Sequence, residues 1–94
     1  MNREKILEVL EMTRLRIESN YSCPAQRIDE RKSFGMCSKE KLAAHALYLI
    51  ETIPSFINEQ GKWGKVNRHF ASMQMICSFL DLYTLTEMKE LNIP

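Results

Sequence analysis

The amino-acid sequence predicts a single all-α domain, a small bundle of three main helices with one or two short helices. Apolar residues recur with helical spacing in three long segments, whereas no segment alternates convincingly between apolar and polar residues as a half-buried strand does. No Asn-Gly or Asp-Gly turn joins two β-rich segments. With 94 residues, the chain can build one core but leaves no room for a second domain, so residues 1–94 are treated as one unit.

The first predicted helix runs from an N-cap at Asn2 to about Ser19. Glu4 lies in the first turn, where a carboxylate interacts favourably with the helix dipole. One stripe is predicted to be buried, and it consists of Ile6, Val9, Leu10, Thr13 and Ile17. Ordinary amphipathic packing explains this helix, so we assign it to the fold.

A connection of about 18 residues, from Asn20 to Cys37, follows the first helix. Links in compact domains usually have about 4 to 6 residues, so a long one is either functional or contains a short element of its own. Pro24 at a first-turn position predicts a short helix through Arg31 with Ile28 as its apolar anchor. We expect this connection to supply part of a contact surface, with Arg27 and Arg31 as its binding residues.

Ser38 is the predicted N-cap of the second long helix, whose buried stripe is Leu42, Ala46, Leu49, Ile50 and Ile53. Pro54 interrupts it, but the apolar residues beyond stay in phase. We therefore expect a kinked helix that ends near Gln60, with Gly61 at its C′ position. Near the C-terminus, the capping box of Thr84 and Glu87 predicts a short helix through Leu91.

The third long helix, predicted over Trp63–Tyr83, is apolar on two sides. The first stripe is Val66, Phe70, Met73, Cys77 and Leu80, widened by His69, Ile76 and Tyr83. A second line lies roughly 180° away and consists of Met75, Phe79 and Leu82. The narrow strip between them is polar or small: Asn67, Ala71, Gln74, Ser78 and Asp81. Two apolar sides predict either a central helix or one that packs on another copy or another protein. We therefore expect a homo-oligomer with Met75, Phe79 and Leu82 at its interface.

Catalytic and cofactor signatures do not emerge from the sequence. His45 and His69 are the only histidines, and neither has the spacing of a base beside a nucleophile. Cys23, Cys37 and Cys77 are odd in number and show no C-x-x-C pattern, which disfavours a zinc module and a disulfide framework. There is no Gly-rich phosphate loop. The prediction is a protein that is not an enzyme and has no cofactor and no metal.

The net charge of +1 gives no global attraction to nucleic acid or to anionic lipid. The longest apolar run is far shorter than the roughly 18 to 20 residues of a membrane span, and the charged N-terminus is unlike a signal peptide. We therefore expect no membrane association and a reducing, cytoplasmic setting.

One local cluster is a candidate ligand site, and we call it the Trp63 cluster: Lys62, Trp63, Lys65, Arg68 and His69. Lysine and arginine meet phosphates, tryptophan stacks on bases, and the free N–H groups of a helix start favour anions. The opposing interpretation is that Trp63 packs on the start of the helix while the basic residues are solvated. Nucleic-acid or nucleotide binding through this cluster, assisted by Arg27 and Arg31, is the alternative function.

A resemblance covers roughly residues 45–92. The segment Lys65–Phe70, then Gln74, then Tyr83–Glu87 and Asn92 resembles the C-terminal half of small helical proteins of unknown function that phages and prophages encode. The resemblance implies a phage accessory protein that acts in the host bacterial cytoplasm by binding and modulating a host or defence protein. It carries over no activity and no functional residues. The leading prediction is thus a helical protein-interaction module with a protein partner of unknown identity.

Overall fold

The computed structural model describes residues 2–93. These residues form α1 (Arg3–Asn20), a 3-10 turn (Phe34–Met36), α2 (Lys39–Ile57), α3 (Trp63–Phe79) and α4 (Leu85–Leu91). They include no strand, so the all-α prediction is confirmed. Nowhere in this part of the chain is a helix both long enough and apolar enough to span a membrane.

The centre of the bundle is α2, which packs against both α1 and α3. Nine of its residues are buried, compared with six in α3 and five in α1. Buried side chains lie on more than one side of α2, because Ala43 and Leu47 extend the apolar surface beyond the predicted stripe. The option of a central third helix was therefore wrong.

The buried stripes predicted for the three long helices are confirmed. Every predicted position in α1, in α2 and in the first stripe of α3 is less than a tenth exposed. Ile76 and Tyr83, which widen that stripe, are also buried, whereas His69 is half-buried. The hydrophobic residues among them, which exclude Thr13 and His69, belong to one apolar core.

Side-chain caps begin three of the helices as predicted. Asn2 accepts a hydrogen bond from the Lys5 amide at 2.8 Å, and Ser38 accepts one from the Lys41 amide at 3.2 Å. The capping box is complete, since the Thr84 amide donates to the Glu87 carboxylate at 2.9 Å and the Glu87 amide donates to the Thr84 hydroxyl at 3.1 Å. The sequence therefore predicts helix starts well in this chain.

Helix ends were predicted less well. The second helix does continue through Pro54, but it ends at Ile57 rather than near Gln60. Gly61 has a φ of +79° and so occupies the left-handed region that glycine tolerates. It lies in the turn between α2 and α3, where this conformation helps the chain to reverse.

The end of α3 is a Schellman motif, with Asp81 in the left-handed conformation at a φ of +61°. The Leu82 amide donates to the Cys77 carbonyl at 2.9 Å, and the Asp81 amide donates to the Ser78 carbonyl at 3.1 Å. These bonds satisfy two carbonyls that the helix leaves free. The helix therefore ends at Phe79, and the prediction that it continues to Tyr83 was wrong.

Replacing Asp81 with Gly should raise the free energy of unfolding by up to about 1 kcal/mol, because glycine has no Cβ to clash at positive φ. Asp81→Ala should instead destabilise the fold, since alanine has the Cβ but lacks the polar side chain that helps aspartate tolerate this conformation. Denaturant unfolding of both variants beside the wild type measures the difference. A glycine variant that is less stable than the alanine variant would contradict the assigned cap.

A pair of side-chain amides joins the last residues of the described chain to α3. Gln74 and Asn92 exchange two hydrogen bonds, at 2.9 Å and 3.0 Å. Gln74 belongs to the polar strip of the helical pattern, yet it is only 8% exposed because the end of α4 covers it. Its burial costs little, since both of its polar atoms have partners.

The short helix predicted within the connection is absent, and that prediction was wrong. The first part of the connection is extended, and its backbone bonds to α2: the Gln26 amide donates to the Ala44 carbonyl at 3.0 Å. Tyr21, Cys23 and Ala25 pack against the core, and the residues between them are exposed. Alternate burial of this kind is the period of an extended chain, not of a helix.

Candidate functional site

An apolar groove of about 280 Å³ opens between the 3-10 turn, α2 and α3. Leu42 and Ile76, each 1% exposed, are its most buried residues. Phe34, Met75 and Phe79 line it as well and remain 39%, 60% and 62% exposed. Large apolar side chains that share one concave surface mark a contact site more often than isolated ones do.

Two of the three residues predicted at an oligomer interface, Met75 and Phe79, lie together at this groove. Leu82 does not continue their line, because the helix has ended before it. Instead Leu82 is half-buried against the core, and its carbonyl accepts a hydrogen bond from the Arg16 guanidinium at 2.9 Å. The second apolar line of α3 is therefore shorter than the sequence predicts.

A second concavity, which we call the basic cleft, lies between the connection, α2 and α3 and has a volume of about 540 Å³. Its polar and aromatic walls include Arg27, Lys32, His45, Tyr48, Lys65 and His69. Phe34 lines both the cleft and the apolar groove, so the two surfaces adjoin at the 3-10 turn. The long connection thus helps to build both.

The Trp63 cluster is divided by the fold. Lys65 and His69 line the basic cleft, whereas Lys62, Trp63 and Arg68 are exposed and do not. Trp63 is 42% exposed, so packing accounts for only part of its surface. The structure joins Lys65 with residues of the connection and of α2 rather than with the tryptophan.

The two arginines of the connection also separate. Arg27 lines the cleft, with its guanidinium 3.1 Å from the Glu30 carboxylate. Arg31 lies outside the cleft with an 89% exposed side chain and forms an ion pair with Asp29 at 3.0 Å. Such an exposed pair contributes little to stability, but it does hold the pKa of Asp29 below its ordinary value.

Aromatic contacts fix the shape of the cleft. The rings of His45 and Tyr48 are stacked, with centroids 5.8 Å apart and an interplanar angle of 15°. The Phe34 ring is tilted against His45 at 6.0 Å. On the other wall, the Lys65 ammonium lies 4.1 Å above the Phe56 ring, an attractive cation–π contact.

Both histidines of the cleft have a lowered pKa. Burial is the largest cause for each; Arg27 adds to it for His45, and Lys65 and Arg68 add to it for His69. They are therefore neutral near pH 7. His45 Nδ1 accepts a hydrogen bond from the Ile28 amide at 3.3 Å, so the imidazole proton resides on Nε2. His69 Nδ1 is buried and has no hydrogen-bond partner within residues 2–93.

Sequence reasoning missed Phe34, His45 and Tyr48 as parts of a site. His45 and Tyr48 are three residues apart, which places them on one face of a helix, but both looked like ordinary edge residues of a buried stripe. Nothing in the local pattern predicts that Phe34 reaches them, because that contact depends on the path of the connection.

The fully buried cysteine, Cys77, is not a reactive thiol. All three cysteines are free; Cys23 and Cys37 are half-buried and Cys77 is fully buried. Burial raises the pKa of Cys77 to about 12, so its nucleophilic thiolate form is negligible at neutral pH. Within residues 2–93, no group of three or more His, Cys, Asp or Glu side chains is arranged to hold a metal ion.

Comparison of the chain with protein-family models, with curated proteins and with solved structures finds no match. The functional argument therefore depends on the geometry of the groove and the cleft.

Proposed function

We propose that this protein is a non-enzymatic helical protein-interaction module whose contact surface is the apolar groove. The observation that supports the proposal is the exposure of Met75 and Phe79, 60% and 62%, beside Phe34 on one concave surface. Covering a large apolar side chain removes it from water and contributes roughly 1.5 to 3 kcal/mol. Several such side chains on one surface provide a driving force for association, which must exceed the loss of translational and rotational freedom.

The partner we propose is a second copy of the chain. A twofold dimer brings the same surface of both copies together, so each contact between the grooves occurs twice in one interface. The groove suits this geometry because it combines a concave floor at Leu42 and Ile76 with partly protruding side chains at Met75 and Phe79. A different protein with an apolar helix face is the competing partner.

The proposed setting is the cytoplasm of a bacterial host, where the protein, as a dimer, acts as a phage accessory protein that binds and modulates a host or defence protein. The resemblance of residues 45–92 to phage-encoded helical proteins supports this setting. The three free cysteines are consistent with a reducing compartment.

Sedimentation equilibrium of the wild-type chain should show a dimer at micromolar concentrations. Phe79→Asp and Met75→Glu should each restore the monomer, because a carboxylate in an apolar contact loses its hydration without gaining a partner. Leu85→Asp is the matched control: Leu85 is 63% exposed, as Phe79 is, but does not line the groove. Circular dichroism should show the same helix content in all three variants.

A wild-type chain that remains monomeric throughout this range contradicts self-association. Capture from bacterial lysate, with and without nuclease, then tests the remaining part of the proposal. A captured protein that resists nuclease and is lost with Phe79→Asp supports a different protein partner. Capture that disappears on nuclease treatment contradicts the interaction-module proposal.

A further inference from the structure

We infer that the basic cleft is a binding site for a mononucleotide, a ligand that joins a planar aromatic ring to a phosphate. This inference does not depend on the proposed dimer, because its charged and stacking contacts come from side chains that do not line the apolar groove; Phe34 alone lines both surfaces. It also differs from binding at the Trp63 cluster, since Lys62, Trp63 and Arg68 do not line the cleft.

The charge of the cleft favours an anion. Arg27, Lys32 and Lys65 line it together with one carboxylate, Glu30, and that carboxylate is already paired with Arg27. Lys32 and Lys65 form no ion pair within residues 2–93. Two cations are thus available in a concave site, where low-dielectric walls strengthen their field. These cations can donate two or three charge-assisted hydrogen bonds to phosphate oxygens.

The position of Lys65 makes it the main candidate for the phosphate. Its stem is half-buried and its ammonium lies 4.1 Å above the Phe56 ring, so the side chain is already ordered within the cleft. A preordered cation loses less side-chain entropy when it binds than a solvated one does. Lys62, three residues earlier, is fully on the surface and lacks this advantage.

The aromatic wall favours a planar ring. His45 and Tyr48 stack at 15°, and Phe34 extends the wall from the 3-10 turn. A nucleobase can stack on an outer face of this pair of rings, whichever base it is, because every base has an aromatic face. The Nε2–H group of His45 has no partner within residues 2–93 and can donate to a ring carbonyl or ring nitrogen.

The size of the cleft is suited to a small ligand. Its volume of about 540 Å³ lies within the roughly 300 to 1,000 Å³ that small-molecule sites occupy. Arg27, Lys32 and Lys65 line it, and the Nε2–H group of His45 is a further donor, so the cleft holds several groups that can donate hydrogen bonds. A ligand with several hydrogen-bonding edges is therefore preferred over an apolar one.

Isothermal titration calorimetry with each of the four ribonucleoside 5′-monophosphates tests the inference, and adenosine and inorganic phosphate serve as separate probes. At least one monophosphate should bind with a Kd below about 1 mM. Its nucleoside or phosphate part alone should bind at least about tenfold more weakly, because each supplies only one of the two interactions. Amide chemical shifts in an NMR titration should change around Ile28, His45 and Lys65.

Lys65→Gln and Tyr48→Leu should each weaken the binding by about tenfold or more, through loss of the phosphate contact and of the stacking surface. Lys62→Gln is the matched control and should change the Kd by less than about twofold, since it removes the same charge from outside the cleft. Thermal midpoints of the three variants show whether the fold is intact.

Any one of the following results would overturn the inference. The first is that none of the four monophosphates binds with a Kd below about 1 mM. The second is that inorganic phosphate binds as tightly as the nucleotides, which makes the aromatic wall irrelevant. The third is that Lys62→Gln weakens binding as much as Lys65→Gln does. The fourth is that single-stranded oligonucleotides bind more tightly than the monophosphates and change the NMR signals of Trp63 rather than those of the cleft.

Discussion

Replacing Ile53 with Ala should lower the free energy of unfolding by about 2–5 kcal/mol, the largest effect we expect from one truncation in this chain. Ile53 is 0% exposed and lies on α2, the helix that packs against both α1 and α3. Its removal leaves a cavity that neighbours on two sides must fill, and they relax only partly. Since a domain of this size is stable by only about 5–15 kcal/mol, the loss is a large fraction of the total.

The matched comparison is Met75→Ala on α3. Met75 is 60% exposed, so its truncation should change the stability by less than about 0.5 kcal/mol when measured at a concentration too low for self-association. Ile53→Val should fall between the two, at about 0.5–1.5 kcal/mol. Denaturant unfolding with a shared m-value ranks the three variants. The reverse ranking of Ile53→Ala and Met75→Ala would mean that α3, not α2, lies at the centre.

That comparison also shows what apolar periodicity predicts and what it does not. The pattern correctly predicts which residues of the first stripes avoid water, because a helix must cover its apolar face to be stable. The pattern does not predict which helix or segment covers those residues. The second line on α3 predicted either a central helix or one that packs on another copy or another protein. Met75 and Phe79 are exposed in the single chain, while Ala43 and Leu47 of α2 are buried on a side that the predicted stripe did not include.

The prediction of a short helix in the connection was wrong for a different reason. Pro24 at a first-turn position favoured a helix, but an isolated turn of helix is costly to nucleate and has only Ile28 to anchor it. The alternation of Tyr21, Cys23 and Ala25 with polar or exposed residues was the better signal, and it predicts an extended segment lying on the core. A short alternating pattern is easily overlooked when it contains a proline, because proline usually marks a turn, a loop or the start of a helix.

The basic cleft depends on contacts between residues that are distant in sequence. Arg27, His45 and Lys65 come from three different elements, and the spacing between them carries no signature of a common site. The sequence instead predicted a ligand site at the Trp63 cluster, whose residues are close together in the chain. In the structure, helix α3 places those residues on different faces. The sequence therefore predicted Lys65 as a binding residue, but it grouped Lys65 with Trp63 rather than with Arg27 and His45.

Acidification from pH 7.5 to pH 5 should destabilise the fold, because the two histidines of the cleft resist protonation in the folded state. Burial is the largest cause of the lowered pKa of each, and the neighbouring cations Arg27, Lys65 and Arg68 add to it. In the unfolded chain, both histidines return to the ordinary pKa of about 6.5 and bind protons as the pH falls through that value. The unfolded state then holds more protons, so stability decreases as the pH falls and is fully present only above about pH 7.

The structural consequence of this protonation is specific for His45. Its Nδ1 accepts the Ile28 amide only while it is unprotonated, and that hydrogen bond, together with the one from Gln26 to Ala44, ties the connection to α2. A protonated ring loses the bond and places a charge beside Arg27. The carboxylates with a lowered pKa, Glu11, Asp29 and Glu87, add to the slope with the same sign only near pH 5, where the unfolded chain begins to protonate its carboxylates.

Thermal unfolding at steps between pH 7.5 and pH 5 should therefore show a midpoint that falls as the pH falls. His45→Gln should reduce this slope while it keeps an acceptor for the Ile28 amide, because glutamine does not titrate. The double variant His45→Gln, His69→Gln should be nearly independent of pH over the same range. NMR titration of the imidazole protons measures the pKa of each histidine directly. A pKa at or above 6.5 for both would contradict the lowered pKa that we expect for the two rings in the folded protein.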